Sequence, residues 1–284
     1  MRSQYVISGS AFFMEATMKK ILILLILCFS ANLLAQSANT ILWDMWTNDP
    51  LNIGMGGVGG KTAVRLLGHN HALAATQEVM GHGSSTQGYV LRGTVLAVKA
   101  ASSNDDTSGT GIRSVEITGL DSSFAEQSET IILNGGDSVL TANKYVRVFK
   151  MDGITAGTGG IAAGAITLTS SHAGADTTLL TILTGEVCAE TAIYTVPAGK
   201  TFYVYEFHAM SAAAVLTTIY ITSRERITDE SYRPWNDDVA GQVWLSTFYL
   251  PLNIPLVCDE YTDIEIRGIG NTGNAVAGLS GWIE

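Results

Sequence analysis

The chain has 284 residues, 26 Asp and Glu against 16 Lys and Arg, and a formal net charge of −10. That length is ample for one large core or two ordinary ones. An acidic surface repels phosphate and argues against nucleic acid as the main partner. A charged fraction of 15% beside 46% hydrophobic residues argues against bulk disorder.

In chain order, residues 1–37 read as upstream residues followed by a secretory leader. Lys19-Lys20 precedes an apolar run from Ile21 to Leu27 that continues to Leu34, and small residues follow at Ala35, Ser37 and Ala38. Met18 is a natural start for such a leader, and the run is too short to favour a membrane-spanning helix. Cys28 sits in no lipobox, because Leu25-Ile26-Leu27 places no small residue before it. Residues 38–85 read as an irregular arm, with a glycine-rich loop over Asn52–Gly60, a short strand over Thr62–Leu67 and a short helix over Ala72–Met80.

From Gly88 a strand pattern takes over. Tyr89–Ala100, Arg113–Thr118, Thr130–Leu133, Lys144–Phe149 and Ala165–Ser170 alternate apolar with polar residues. Gly119-Leu120-Asp121 and Asn134-Gly135-Gly136-Asp137 read as the breaks between them, and Thr177–Leu183 fits no one class. A second set follows Gly185: Thr191–Val196, Thr201–Phe207, Val215–Arg224, Gln242–Leu250, Asp263–Arg267 and Ala275–Ile283. Pro197-Ala198-Gly199-Lys200 is a turn in which Pro presets φ and Gly supplies φ > 0. Short strands with regular turn signals predict an all-β protein of two antiparallel β-sandwich or jelly-roll-like blocks, over 86–185 and 186–284.

The motifs that suggest chemistry are weak. Gly54–Thr62 ends in Gly60-Lys61-Thr62, but Met55 stands where a phosphate-binding loop needs its first glycine, and no apolar strand precedes it. This argues against a nucleotide and for a flexible loop. His69, His71 and His82, with Glu78, invite a metal reading, yet their glycine-rich surroundings favour polar loop histidines. Asn104-Asp105-Asp106-Thr107 offers oxygens to calcium but lacks the spaced D-x-D-x-D-G loop; an acidic turn explains it as well. Gly278-Leu279-Ser280-Gly281-Trp282 misses a nucleophile elbow, because Trp282 replaces the last glycine. Glu116, Glu126, Glu129, Asp263 and Glu265 read as strand-face charges that keep edges soluble. No catalytic, cofactor or metal residue is therefore assigned. Cys188 and Cys258 either form a disulfide or remain two separate thiols; spacing cannot decide between them. Phe202, Tyr203, Tyr205, Phe207, Trp244, Phe248 and Tyr249 fall on both parities of their strands. One set is core, and the other is a subunit interface or a sugar-stacking platform.

Asn104–Arg113, Gly119-Leu120-Asp121, Glu126 with Glu129, Leu133-Asn134-Gly135, Ala192–Thr201 and Asp263–Arg267 together resemble a pattern in structural proteins of tailed phages, notably marine ones. The resemblance implies a virion component, such as a head or tail decoration or a fibre-associated protein, without enzymatic activity. It implies self-association and contact with other virion proteins, and carries over no functional residues. A secretory leader is out of place in a virion protein. Either the leader is a gene-boundary artefact, or the chain is a secreted relative with a different job. The rival readings are a secreted or cell-surface binding module, with a surface glycan as ligand, and a polysaccharide-degrading enzyme.

Overall fold

A computed structural model of the chain describes residues 53–81, 89–172, 175–212, 216–228, 231–243, 246–270 and 273–284. The expected leader, His82 and Trp244 lie outside them. Gly59–Glu284 form one compact unit.

Within this unit the expected all-β architecture is present, and every ladder is antiparallel. The strands in chain order begin with β1 (Thr62–Leu73), β2 (Glu78–Val79), β3 (Tyr89–Thr94), β4 (Leu96–Ala100), β5 (Ile112–Leu120), β6 (Glu126–Ile132) and β7 (Val139–Leu140). Next come β8 (Tyr145–Ala156), β9 (Ile166–His172), β10 (Ala175–Ile182), β11 (Cys188–Glu190), β12 (Ile193–Thr195) and β13 (Phe202–Ser211). The last are β14 (Thr217–Arg224), β15 (Arg226–Thr228), β16 (Ser231–Tyr232), β17 (Asn236–Val243), β18 (Ser246–Cys258), β19 (Asp263–Ile269) and β20 (Gly273–Ile283).

Two sandwiches result. In the first, sheet β10-β9-β4-β7 faces sheet β11-β8-β5-β6, with β3 added to β8. Its core includes Leu96, Val98, Val115, Ile117, Tyr145, Ile166, Leu168 and Ile182. In the second, sheet β1-β20-β13-β18 faces sheet β12-β19-β14-β17, with β2 added to β19. Its core includes Leu66, Phe202, Val204, Phe207, Ile219, Ile221, Ile264, Ile266 and Leu279. Full burial of a side chain of this size stabilises by about 1.5–3 kcal/mol, so alternation alone commits each strand to one face.

The second sandwich is not contiguous in sequence. Residues 62–80, expected as an irregular arm, contribute its edge strand β1 and the short β2, so the first sandwich is an insertion between β2 and β12. The two crossings lie side by side: Met80 donates its N–H to Ile266 O at 2.9 Å, and Ile266 donates its own to Ala192 O at 3.0 Å. The junction falls at Thr191–Ala192 rather than at Gly185, because β11 still pairs with β8 of the first sandwich. The helix expected over Ala72–Met80 does not form. Instead the Glu78 carboxylate accepts the Ala74 N–H at 2.6 Å and Asn70 Nδ2 at 3.2 Å, which holds a tight turn between β1 and β2. Nor does Gly119-Leu120 end its strand; β5 runs through Leu120, and the turn begins at Asp121, whose Oδ1 caps the N–H groups of Ser123 and Ala125. Thr177–Leu183 becomes β10.

A bulge in β13 between Val204 and Glu206 explains the aromatic residues on both parities. Before it, Phe202 and Val204 point inward; after it, Phe207 and Ala209 do. Tyr203 and His208 therefore share the outer face.

Candidate functional site

The most unusual chemistry is buried in the seam between the two sandwiches. Arg147 lies in the apolar run of β8, is 3% exposed, and reaches across to the second sandwich. Its Nε donates to Asp263 Oδ1 at 3.1 Å and to Thr195 Oγ1 at 3.1 Å. Its Nη2 donates to Asp263 Oδ2 at 3.3 Å and to Tyr232 Oη at 2.5 Å, and Nη1 to Val146 O at 2.8 Å. Asp263, fully buried on β19, also accepts Thr195 Oγ1 at 2.6 Å and Arg224 Nε at 3.0 Å. One carboxylate thus ties two guanidiniums and a hydroxyl. Such a buried pair needs this degree of satisfaction to offset its desolvation.

Two residues further along β19, on the same face, Glu265 is also fully buried and accepts Arg267 Nε at 2.5 Å. Burial pushes its carboxyl above the ordinary 4.5, opposed by the Arg267 charge. Its Oε1 and the buried Tyr89 hydroxyl find no hydrogen-bond partner beyond each other. Burial raises the Tyr89 hydroxyl well above 10.0, and the Asp263 and Glu265 charges add to that. Aromatic rings line the guanidiniums: Tyr89 lies 4.7 Å from Arg147 and 4.9 Å from Arg224, and Trp235 lies 4.4 Å from both Arg224 and Arg267. Asp263 and Glu265, expected to be soluble strand-face charges, are therefore the anionic centre of an internal latch.

An apolar contact completes the seam. Phe124 and Tyr261 meet edge to face at 5.2 Å, with Arg226 over both rings at 4.5 and 5.3 Å. Phe124, Tyr261 and Ala192 are the non-glycine residues with positive φ (59°, 64° and 56°) among those described. All three sit at the seam, where surrounding contacts hold a backbone form that side chains disfavour.

The other candidates resolve into structural roles. Asp105 is fully buried, and its Oδ1 accepts the N–H groups of Ile112 at 2.8 Å and Ala163 at 2.9 Å, its Oδ2 that of Gly164 at 2.8 Å. Asp106 Oδ1 accepts the N–H of Ser108 at 2.8 Å. These are the acidic turn, with its oxygens aimed at backbone. Glu129 accepts the N–H groups of Ala142 at 2.7 Å and Asn143 at 2.9 Å. Glu116 is half-buried on β5, and Glu126 is exposed on β6. Gly56 and Gly60 take positive φ (72° and 80°), and the loop leads into strand β1 instead of the helix a phosphate loop requires. Ser280 lies within β20, and its Oγ donates to Glu206 Oε1 at 3.3 Å. Among the described residues, no group of three or more His, Cys, Asp and Glu is placed to hold a metal ion.

Cys188 and Cys258 are both free thiols, the first exposed on β11, the second buried at the end of β18. Each stands on a different sandwich, paired through β8 and β13 respectively. Burial pushes the Cys258 thiol up to about 12. Cys188 shares the lining of a cavity of about 160 Å³ with Leu67, His69 and Glu190. Its thiol is raised by partial burial and by the Asp152, Glu190 and Glu186 carboxylates, the opposite of an activated nucleophile. His69 Nε2 is instead engaged with Asn274 Oδ1 at 2.9 Å.

On the outer face of the second sandwich, Trp282 stacks with Tyr203 at 5.4 Å and 13° and with Tyr205 at 5.8 Å and 28°, while Lys61 Nζ lies 5.0 Å from its centroid. The three rings thus lie against one another on that face. No family model matches the chain, and no curated protein does. Two solved structures of infectious bursal disease virus, from the Gx and Gt strains, are similar to 78% of it at 10% identity, over 70% and 72% of their own chains, with a TM-score of 0.23 each. A likeness of that size carries no argument about function.

Proposed function

We propose that this chain is a non-enzymatic structural protein, a virion component that self-assembles through the surfaces of its β sandwiches. The observation that carries the reading is the use of its charge. The buried Arg147, Asp263 and Glu265 pair with each other or with the half-buried Arg224 and Arg267, which stiffens the body, and among the described residues these carboxylates face cations instead of an open cleft as a catalytic pair would. The outer face of sheet β1-β20-β13-β18 supplies an assembly surface: Met210, Tyr249 and Val257 are exposed there beside the Tyr203–Trp282 stack. Its outermost strand β18 carries Pro251 and Pro255, which withhold N–H groups from indiscriminate pairing, so contact would be made by side chains. The resemblance of Asn104–Arg113 and Asp263–Arg267 to tailed-phage structural proteins supports the same reading.

Sedimentation velocity on the purified protein, beside mass spectrometry of purified particles and of the secreted fraction, tests it. The expected result is an oligomer that Tyr249→Asp with Val257→Asp dissociates, and recovery of the chain with particles. A monomer at tens of micromolar, absent from particles and found only in the secreted fraction, would overturn the proposal in favour of a secreted binding module.

A further inference from the structure

Strand register sets the outer side chains of sheet β1-β20-β13-β18 in cross-strand rows. Ala63, Trp282, Tyr203 and Val257 form one row, and Leu67, Gly278, His208 and Tyr249 another. Both are apolar or aromatic apart from His208, whose ring lies across Gly278; a Cβ there would stand 2.6 Å from it. Between them runs the row Arg65, Ser280, Glu206 and Pro251. The charges at the middle of the face are thus confined to one line, with a cation on one side of Ser280 and an anion on the other.

Neither charge is met by a permanent opposite one within the chain. Arg65 is exposed and makes no ion pair among the described residues; Glu190 feels its charge across the seam without bonding to it. Glu206 is half-buried and accepts Ser280 Oγ and Tyr249 Oη, each at 3.3 Å. These hydroxyls fix the carboxylate in place and leave it charged. His208 Nδ1 stands 3.6 Å away and offsets that charge only when protonated. A row of this kind is complementary to its own reverse. A two-fold axis lying in the face along β20 turns the row end for end, so that Arg65 of each copy meets Glu206 of the other. The two carboxylates then stay two strand spacings apart, about 10 Å, and so do the two guanidiniums. An axis across the strands would instead set Arg65 against Arg65.

We propose that two copies of the chain pack outer face to outer face about this axis, locked by two Arg65–Glu206 ion pairs between the copies. The inference rests on the assembly reading above and deepens it: the partner is a second copy, and the contact is isologous and closes at two. Twisted sheets pack in this aligned way at about 30° and about 10 Å apart. Four strands at about 4.8 Å spacing and about nine paired residues in length span on the order of 600 Å². Two such faces bring together on the order of 1,200 Å², the lower end of what a specific interface buries. The flanking rows supply the apolar area, and the ion pairs fix the register. The outermost strand β18 of each copy overhangs the β1 edge of the other, which carries the exposed Tyr249 and Val257 onto the partner.

The test is sedimentation velocity on the full chain, on Arg65→Glu, on Glu206→Arg, and on an equimolar mixture of the two variants. The wild type is expected to be a dimer. Each variant alone sets like charges together at both symmetry-related contacts, and its dissociation constant is expected to rise about a hundredfold. In the mixture every contact between unlike copies again joins a cation to an anion. The mixture is therefore expected to sediment as a heterodimer, within about tenfold of the wild-type affinity. Such rescue requires both variants to be folded, so misfolding cannot imitate it. Arg65→Ala, at an exposed position, is expected to weaken the dimer about tenfold and carries the test if a charge reversal does not fold. A wild-type oligomer that every variant leaves intact would overturn this geometry while the assembly reading stands on another surface. Two dissociated variants whose mixture stays monomeric would overturn it as well. A wild-type monomer at tens of micromolar would overturn both readings and leave the face to a different protein.

Discussion

Replacing Asp263 by Asn keeps the volume of the side chain and removes its charge. Arg147, 3% exposed, then faces a neutral amide in place of a carboxylate it meets at 3.1 and 3.3 Å, and Arg224 loses its ion pair at 2.9 Å. Breaking a buried pair from one side strands the other charge and costs about 3–5 kcal/mol. Arg147→Met is expected to cost less, about 2–3 kcal/mol, because Asp263 keeps Arg224 and Thr195. If the latch acts as one unit, the double variant falls short of the sum by about 2 kcal/mol. Urea unfolding followed by tryptophan fluorescence measures all three, and Trp235 beside Arg224 reports on the seam directly. Additivity within about 0.5 kcal/mol, or a loss below about 1 kcal/mol for Asp263→Asn, would refute the claim that this network joins the sandwiches.

Four further outcomes are expected. Glu265, whose folded carboxyl lies above 4.5, binds more protons folded than unfolded, so its contribution to stability is full below that pH and is lost as pH rises through the raised folded value; Glu265→Gln should flatten this part of a stability–pH profile measured by urea midpoints. Asp105→Ala strands three backbone N–H groups and should destabilise by about 3 kcal/mol or more in the same assay, with EDTA and calcium leaving the wild-type midpoint unchanged. Thiol labelling with peptide mapping should modify Cys188 without denaturant and Cys258 only with it, and non-reducing maps should contain no bridge between them. Gly119→Ala places a Cβ 2.1 Å from Arg147 O, beside a β5–β8 register shift, and should cost about 1–3 kcal/mol in urea unfolding.

The strands were legible where burial is one-sided. Val115–Thr118 and Phe202–Tyr205 alternate because one face meets a core, and the breaks at Asn134–Asp137 and Pro197–Lys200 carry their own turn chemistry. Ala72–Met80 misled because Ala, Gln, Glu and Met favour helix locally, whereas pairing of Glu78 and Val79 with β19 is decided by a partner far away in sequence. The same limit hid the nested topology: nothing local in Thr62–Leu67 announces Ile283 as its neighbour. Asp263-Ile264-Glu265-Ile266-Arg267 reads as a half-wet strand, and only a cation arriving from another sandwich reverses that. Two signals pointed toward the latch. Arg147 interrupts the apolar run Tyr145–Phe149, and Arg224-Glu225-Arg226 is the densest basic spot after the expected leader. Neither says which carboxylates they seek, because ion-pair partners follow tertiary proximity, not spacing.

The adjacency of Met80 and Ala192 has a consequence for the life of the chain. The inserted sandwich draws on a continuous stretch and can be complete while β1 still waits for β20, which is made after every other described strand. Joining Thr62 to Ile283 closes a loop on the order of two hundred residues, so synthesis leaves a long interval in which β1 stands unpaired. A chaperone that holds β1 during that interval would raise the yield of folded chain.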